Sequence, residues 1–410
     1  MTSIFPSPHP SPHGGEGKGE GGGDSNMDMK SEIKKLARLE EGPHPFCSLY
    51  INTKWDDEQQ RERIRLFTKN QLKKGFDQLK ERGDWRKIFI EDQKLIERYV
   101  EGLVRRNYEE GVNGMAIFSC SGSKTFLTYP SVISFENEFF LSDLPTLRPL
   151  VRLSSQYHDT LAVMVDTDSA KLFEVSLEGQ IAESSIESYV PGRHDQGGWA
   201  QMRYQRHIKD HMDKHHKEVA EQLTELFDSG KWKRVVLIGQ DRILANFKTF
   251  LPERIKQQIT DTFSMDFAEE RSKVLRRIFE RLFQKEREEV SRQIQELKER
   301  TPQGGLATLG LNGTLEAVNK GQVQTLYLLT SFSLSGGKCR QCGSLTLSYP
   351  SDDPSIPCPL CKGKSKIVSL GEEMMRFVLC QDGEVKWTEE NSILKENDGI
   401  GASLRFRLPH

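Results

Sequence analysis

Two Cys-x-x-Cys pairs constrain what this chain can fold into more than any other feature of its sequence. They are Cys339 with Cys342 and Cys358 with Cys361, and fifteen residues separate the pairs. This spacing is typical of two tight turns that present four thiolates to one tetrahedral Zn²⁺ ion. Because four thiolates leave no open coordination position, we predict a structural zinc ribbon over residues 337–366. A redox dithiol is the competing interpretation.

The other three cysteines, Cys47, Cys120 and Cys380, lie in apolar runs that read as strands, and we expect buried thiols. Cysteine pairs at metal spacing, in a sequence with no secretion signal, fit a reducing cytoplasm. No apolar run approaches the roughly 20 residues needed to span a bilayer. The sequence therefore predicts a cytoplasmic protein with no membrane segment.

The alternation of strand and helix patterns predicts an α/β multidomain protein. A length of 410 residues favours two or three domains, and we expect three α/β domains, the central one with a mixed or parallel sheet and the last an α/β/α layer. Pro145, Pro149 and the polar residues 154–156 suggest a linker. The predicted regions are 1–28, disordered or upstream of the native start; 29–150, the N-terminal domain; 155–267, the central domain; and 268–410, the C-terminal domain with the ribbon.

Local patterns predict two further strands and two charged helices. Residues 131–140 and Phe377 to Cys380 read as strands, and the charged zones 56–82 and 90–108 read as helices. For these two helices we favour solvated faces over a binding surface.

A glycine-rich polar segment in the central region leads directly into a basic helix. Gly197 and Gly198 form the centre of an exposed loop, and no proline or glycine interrupts the helical pattern between about 203 and 227. Residues 193–217 contain six Lys or Arg and five His against three Asp. Such a segment suits phosphate-rich partners, although a solvated surface loop beside a basic helix is the alternative.

Three histidines of that helix are spaced four residues apart. His207, His211 and His215 fall on one helical face, which could hold a metal ion. No His-Glu-x-x-His pattern accompanies them and their neighbours are cationic, so we favour an exposed or RNA-facing surface over a metal site.

Three stretches, taken in order, resemble the archaeo-eukaryotic class-one peptide-chain release factor superfamily, which includes Pelota, and more closely its bacterial branch. Residues 193–206 occupy the place of the family's Gly-Gly-Gln loop and the basic helix behind it. Residues 305–328 resemble the entry to the family's third domain. The four-cysteine insert followed by residues 397–407 is similar to the family's closing strand.

The resemblance implies a ribosome-bound protein that positions water against the ester joining peptide to tRNA. Gly197, Gly198 and Gln201 would then be catalytic, because small residues admit the loop and a neutral amide orients water. The residues implied in RNA contact are Arg193, Trp199, Arg203, Arg206 and Lys209. Implied partners are ribosomal RNA and tRNA but neither DNA nor membrane. The chain would be monomeric off the ribosome, and delivery by a translational GTPase stays open.

The sequence departs from the family pattern at two places. Trp199 follows the two glycines where the family has glutamine, which leaves Gln196 and Gln201 nearby; Gly198-Trp-Ala-Gln201 fits the Gly-x-x-Gln form of Vms-type relatives. Trp199 would alternatively stack on a base. Residues 29–150 lack the Asn-Ile-Lys-Ser loop of stop-codon readers, so we expect ribosome rescue rather than codon-specific termination.

Two other functions stay open at this stage. A non-catalytic hibernation or antibiotic-protection factor would use Trp199 and the basic helix as a plug on the ribosome. A nuclease that trims tRNA ends is the weaker alternative, because no acidic metal cluster accompanies the loop. Whether the chain is an enzyme depends on Gln201.

Overall fold

The fold comprises three α/β domains and a small all-β insert, as the sequence predicts. A computed structural model describes residues 29–54, 59–80, 83–105, 112–177, 182–187, 199–230, 232–302, 304–347 and 357–407, with the backbone alone for 199–205.

The N-terminal domain is an antiparallel sheet between two layers of helices. Its elements are α1 Met29–Ala37, β1 Phe46–Asn52, α2 Gln60–Gln78, α3 Gly83–Arg105, β2 Gly114–Cys120, β3 Thr125–Ser131, β4 Glu138–Ser142 and α4 Arg148–Gln156. The strand order is β3-β2-β1-β4. Alternate residues of β1 and β2 point to opposite faces, so Leu49 and Ile117 pack under α2 and α3, while Tyr50 and Phe118 face α1 and α4.

Two sequence predictions in this domain are wrong. Residues 131–140 are not one strand, because β3 ends at Ser131, residues 132–137 are irregular, and β4 begins at Glu138. Val132 and Phe135 are buried, which produced the strand-like pattern. The segment expected to be a linker contains α4, whose Leu150 and Val151 are buried. Pro149 lies in the first turn of α4, where proline removes no helical hydrogen bond.

The central domain has a mixed five-stranded sheet. Its elements are β5 Thr160–Val165, β6 Ser169–Val175, β7 Ala182–Glu187, α5 Trp199–Asp228, β8 Arg234–Ile238, α6 Asp241–Phe250, α7 Glu253–Lys256 and β9 Ile259–Phe263. The order is β7-β6-β5-β8-β9; β6 is antiparallel to β5 and β7, whereas β8 is parallel to β5 and β9. Helices α5 and α6 cover one face of this sheet.

One long helix, α8 (Arg271–Arg300), connects the central and C-terminal domains. Val274, Ile278 and Leu282 of its first half cover the second face of the central sheet. Val290 and Ile294 of its second half pack in the C-terminal domain. The helix therefore contributes to two cores, a property that its uninterrupted charged pattern does not reveal.

The C-terminal domain is an α/β/α layer, as predicted. Its elements are β10 Ala307–Leu309, α9 Leu311–Asn319, β11 Val323–Leu329, β12 Ser335–Cys339, β13 Leu345–Leu347, β14 Ser365–Ser369, α10 Leu370–Cys380, β15 Glu384–Thr388, α11 Ser392–Lys395 and β16 Ile400–Leu404. The main sheet has the order β10-β16-β11-β15, and β13-β12-β14 form the separate ribbon sheet. Helix α10 packs on one face of the main sheet and α8 on the other.

Phe377 to Cys380, predicted as a strand, are the last turn of α10. A four-residue apolar run does not distinguish a buried helix from a strand. Cys380 is consequently exposed rather than buried, whereas Cys47 and Cys120 are buried as expected.

The N- and C-terminal domains share one hydrophobic core. Ile33 of α1 and Leu150 of α4 belong to the same buried cluster as Met374 and Val378 of α10. We call these two domains together the platform. The buried Arg376 of α10 holds the joint, since its guanidinium donates to the carbonyl oxygens of three residues of the N-terminal domain, Leu36, Ala37 and Pro145.

The central domain meets the platform at a buried carboxylate on α8. Glu286 Oε2 accepts from Arg234 at 2.6 Å, and its Oε1 accepts from Lys386 of β15 at 2.9 Å. His158 Nε2 lies 3.7 Å from Oε2, and Lys30 Nζ lies 3.3 Å from His158 Nδ1. Burial, with Arg234 and Lys30 nearby, lowers the pKa of His158 to about 3. The imidazole is therefore neutral at pH 7. Glu286 joins the central and C-terminal domains directly, and His158 lies between it and Lys30 of the N-terminal domain.

Candidate functional site

Among the residues of helix α5 whose burial the structure describes, all the buried ones lie in its second half. Its 30 residues span roughly 45 Å. Val219, Ala220 and Leu223 are buried against the sheet, whereas residues 206–214 are exposed or half-buried. Residues 199–214, which we call the stalk, are the first 16 residues of α5 and span roughly 24 Å along the helix axis.

A buried histidine pair marks the base of the stalk. His216 Nε2 lies 3.1 Å from the carbonyl oxygen of Asp166, and its Nδ1 lies 3.1 Å from the amide nitrogen of Asn246. The neutral tautomer with the proton on Nε2 satisfies both contacts. Burial lowers the pKa of His215 and of His216. Both rings therefore anchor α5 as neutral groups.

The predicted histidine face is only half present. His207 and His211 lie adjacent on the stalk, with ring centroids 4.5 Å apart, but His215 is buried. Its position explains the difference, since the helix meets the sheet at that turn. Among the residues that the structure describes, the histidines form no group with metal-binding geometry.

The predicted catalytic and RNA-contact residues fall at or near the stalk tip. Gly197, Gly198 and Arg193 lie outside the described residues. Trp199 begins α5, so Gln201 occupies its first turn and Arg203 its second. The helix thus starts four residues earlier than the pattern predicts.

The cations lower on the stalk are solvent-facing. Arg206 and Lys209 are exposed, and three residues apart they lie on neighbouring positions of the helix surface. Within the described part of the chain, neither has a carboxylate partner at ion-pair distance. Both are therefore available to phosphate groups of a partner, and their predicted role in RNA contact stays a prediction.

The four predicted metal ligands come together in the ribbon. The sulfur atoms of Cys339, Cys342, Cys358 and Cys361 all lie within 4.8 Å of one another. Three Sγ–Sγ separations are 3.5–3.6 Å, close to the ~3.8 Å of a tetrahedron with bonds of about 2.3 Å to zinc. They are far longer than a disulfide bond of about 2 Å. The cluster could hold one metal ion with every position filled by protein.

Backbone amides favour the thiolate form of two of the four cysteines, Cys339 and Cys358. The N–H groups of Cys342 and Gln341 donate to Cys339 Sγ at 3.5 and 3.4 Å, and they lower the pKa of the Cys339 thiol to about 6. The N–H of Cys361 is the largest cause that lowers the pKa of Cys358. Thiolates are the form that binds a metal.

Two lysines fix the ribbon to the rest of the platform. Lys366 Nζ donates to Glu41 at 2.6 Å and to Asp143 at 2.9 Å. Lys338 Nζ reaches Glu373 at 2.9 Å. Lys338 and Lys366 are therefore engaged within the protein, whereas Arg340, Lys362 and Lys364 are exposed.

Sequence reasoning missed the two interdomain groups, Glu286 and Arg376. Glu286 interrupts an apolar series at four-residue spacing, Leu282, Val290 and Ile294. A carboxylate inside a buried stripe predicts a charged partner, so this signal could have revealed the junction. No comparable signal points to Arg376. Within the described residues, no helix is long and apolar enough to cross a membrane.

Comparison with known proteins finds a family model that is similar to the central part of the chain. Residues 145–283 match the model of bacterial archaeo-eukaryotic release factor family 10. That range starts before α4 and ends within α8, so it contains the whole central domain and the stalk. No curated protein sequence matches the chain.

Three solved structures show low similarity over long ranges. An archaeal translation termination factor, aRF1, is 15% identical, with 92% of this chain and 97% of that chain covered and a TM-score of 0.24. Archaeoglobus fulgidus Pelota is 17% identical, with 72% and 79% covered and a TM-score of 0.35. S. cerevisiae Dom34, described as a translation termination-like factor, is 13% identical, with 72% and 80% covered and a TM-score of 0.37.

The family match confirms the resemblance given by the sequence motifs. Residues 145–283, about a third of the chain, are similar to the bacterial archaeo-eukaryotic release factor family 10.

Proposed function

We propose that this protein binds ribosomes and acts on peptidyl-tRNA in the rescue of stalled ribosomes, not in codon-specific termination. The observation that carries the proposal is the family match over residues 145–283, which contains the Gly-Gly segment and the stalk. The proposed division of labour follows the predicted domains: 155–267 act on the ester, while 29–150 and 268–410 position the molecule.

The proposed reaction is hydrolysis of the ester between peptide and tRNA. A water oxygen bonds to the carbonyl carbon, the bond to the tRNA ribose oxygen breaks, and that oxygen takes up a proton. Gln201 orients the water, and Gly197 and Gly198 allow the backbone to approach RNA closely. Trp199 stacks on a base at the stalk tip.

The stalk cations provide the contacts with RNA in this proposal. Arg193, Arg203, Arg206 and Lys209 neutralise phosphates of ribosomal RNA or tRNA, which releases condensed counterions and strengthens binding. The exposure of Arg206 and Lys209, without an intramolecular carboxylate at ion-pair distance among the described residues, supports this role.

We propose Zn²⁺ as the ion of the ribbon, in a structural role. Four thiolates at tetrahedral spacing suit zinc and leave no site for a substrate or water. The ion would hold the two turns together, and through Lys338 and Lys366 the ribbon would stay attached to α10 and the N-terminal domain. We further propose that the protein is monomeric off the ribosome and cytoplasmic, and that a translational GTPase delivers it to the ribosome.

Peptide release from stalled ribosome complexes tests this function. Labelled peptidyl-tRNA complexes would be mixed with the wild type, Gln201→Ala and the control Gln205→Ala from the next turn of α5. We expect the wild type and the control to release peptide, and Gln201→Ala to be slower by about 10- to 100-fold, as for loss of a positioning group. Equal, slow release by all three proteins, while each still sediments with ribosomes, would exclude the enzyme and leave a non-catalytic ribosome-binding factor.

A further inference from the structure

The four cysteines of the ribbon differ in their exposure to solvent. Cys339 and Cys358 are buried, whereas Cys342 is exposed and Cys361 is half-buried. Each Cys-x-x-Cys turn therefore contributes one inner sulfur and one outer sulfur. The two outer sulfurs are neighbours, since Cys342 Sγ lies 3.5 Å from Cys361 Sγ. We call Cys342 and Cys361 the outer pair, and Cys339 and Cys358 the inner pair.

The residues that flank the outer pair leave it open to small molecules. Arg340, Gln341, Leu360 and Lys362 are all exposed, and Leu360 is 73% exposed, so little of its apolar surface packs on the ribbon. Arg340 and Lys362 also place two cations close to the cluster in sequence. Cations near a cysteine favour its thiolate, which is the form that oxidants attack.

The three cysteines outside the ribbon are in less reactive surroundings. Cys47 is 0% and Cys120 is 2% exposed, and Cys380 Sγ lies 3.4 Å from the carbonyl oxygen of Ala37. Burial raises the pKa of Cys47 and that of Cys380. A thiol with a raised pKa contains less thiolate at pH 7 and reacts more slowly. An oxidant that reaches the folded chain should therefore react first in the ribbon.

We propose that the outer pair is a site of oxidation by hydroperoxides, at which Cys342 and Cys361 form a disulfide that opens the metal cluster. The inference rests on the zinc ion of the proposed function but not on the proposed action on peptidyl-tRNA. A sulfur in a disulfide is no longer a thiolate ligand. The inner pair alone does not retain the ion, because a structural zinc site needs four ligands.

The reaction with hydrogen peroxide consumes one oxidant molecule per disulfide. The Cys342 thiolate bonds to one peroxide oxygen, the O–O bond breaks, and the other oxygen leaves as hydroxide. The Cys361 thiolate then bonds to the sulfur of the resulting sulfenic acid, and a second hydroxide leaves. The two sulfurs lose two electrons, which reduce the two peroxide oxygens. Solvent supplies two protons, which convert both hydroxides to water.

Oxidation of the outer pair should also loosen the attachment of the ribbon. Leu345 of β13 belongs to the core shared by the platform domains, and Asn319 bonds both its N–H and its carbonyl oxygen at 2.8 Å. Lys366 of β14 reaches Glu41 and Asp143. These contacts require ordered ribbon strands, which the metal would hold in place. The outer pair would thus link the oxidation state of the protein to the order of the platform.

Treatment of the reduced, zinc-loaded full chain with hydrogen peroxide tests the inference. A zinc-binding dye would follow release of the ion, and mass spectrometry after alkylation would map the disulfides and the free thiols. We expect about one equivalent of peroxide to release the zinc and to form the Cys342–Cys361 disulfide. Cys47, Cys120 and Cys380 should remain free thiols, and hydrogen exchange should become faster in β13 and β14.

Two ligand variants separate the outer pair from the cluster as a whole. Cys361→His removes an outer thiol and Cys358→His an inner one, and each leaves three thiolates and an imidazole, a set that still binds zinc. We expect Cys361→His to release zinc at least about tenfold more slowly than the wild type, because its sulfenic acid lacks the neighbouring outer thiolate. Cys358→His keeps the outer pair and should release zinc at the wild-type rate. If either variant fails to hold zinc, the disulfide map of the wild type decides alone.

The outcomes distinguish this inference from the proposed ion. If the reduced wild type holds zinc but its first disulfide joins any other two cysteines, or if the cysteines outside the ribbon oxidise first, the inference fails and the zinc ion stands. If the reduced wild type holds no zinc but peroxide still forms the Cys342–Cys361 disulfide first, the proposed ion fails and the oxidation site stands.

Discussion

The contacts that join the two platform domains differ from those that attach the central domain to the platform. The two platform domains are joined by one continuous hydrophobic core, to which α1, α4 and α10 all contribute. The central domain has hydrophobic cores on both faces of its own sheet. It meets the platform through α8 and the buried Glu286 of that helix. It also meets the platform at Tyr157, whose ring centre lies 4.5 Å from that of Phe283. Apolar contact thus unites the platform, whereas a few specific groups orient the central domain on it.

Removal of one metal ligand should have the largest effect, confined to the platform. We expect Cys358→Ser to lose the bound zinc and unfold the ribbon, because structural zinc contributes on the order of 10 kcal/mol to the folding of its site. Metal analysis should give one ion per chain for the wild type and none for the variant. The control Cys380→Ser, outside the cluster, should keep its zinc; loss of zinc there would contradict the assignment of ligands.

Replacing the buried Arg376 of the platform should cause the next largest loss of folding free energy. Arg376→Met leaves three backbone carbonyl oxygens without a donor and Glu372 without its partner, and we expect a loss of about 3–5 kcal/mol. Denaturant unfolding followed in both platform domains measures it. Arg405→Met, at an exposed position, serves as the control and should change stability by less than about 0.5 kcal/mol.

Disrupting the junction at Glu286 should cause a smaller loss of folding free energy, but it should make the central domain and the platform unfold separately. Glu286→Gln leaves Arg234 and Lys386 without a counter-charge, and we expect a loss of roughly 3 kcal/mol. Unlike the arginine variant, it should separate the unfolding of the central domain from that of the platform. Glu288→Gln, two residues away and exposed, is the control; a single unchanged transition in Glu286→Gln would refute the role of the junction.

The same junction predicts a dependence of stability on pH. The pKa of His158 is about 3 in the folded protein and about 6.5 in an unfolded chain. Between these values only the unfolded state binds the proton, so stability falls as pH decreases, by at most about 1.4 kcal/mol per pH unit. Unfolding at pH 7 and pH 5 should show this loss in the wild type and in His207→Gln. A loss of the same size in His158→Gln would assign it to other groups.

The ribbon contacts should have the smallest effect. Lys366→Gln removes two ion pairs with partly exposed carboxylates, and we expect about 1 kcal/mol or less. Its neighbour Lys364 is exposed and should tolerate the same change. Hydrogen exchange should become faster in β14 of the first variant only. Equal exchange in both variants would show that Lys366 does not hold the ribbon in place.

The sequence predicts local features well and long-range ones poorly. The four cysteines, the charged helices α2 and α3 and the helix that forms the stalk all follow from spacing or periodicity within short windows. The interdomain groups cannot be predicted in this way, because Arg376 donates hydrogen bonds to carbonyl oxygens of residues more than 200 positions away along the chain. The sequence predicts α8 as a helix, but nothing in its pattern shows that its two halves pack in the hydrophobic cores of two different domains.

The candidate site shows the same limit. The glycines follow from their order before a basic helix, and Gln201 follows from the resemblance to the release factor family, yet the start of α5 at Trp199 was not predicted. His215 was expected at the surface because spacing alone does not reveal where a helix leaves the sheet.

A cryo-electron-microscopy map of the protein on ribosomes that carry peptidyl-tRNA tests the central claim most directly. We predict that the platform contacts ribosomal RNA and that the stalk directs Gln201 towards the ester at the end of the tRNA. A map in which the platform is bound but the stalk points into solvent, away from the tRNA, would contradict the proposal that this helix carries the active site.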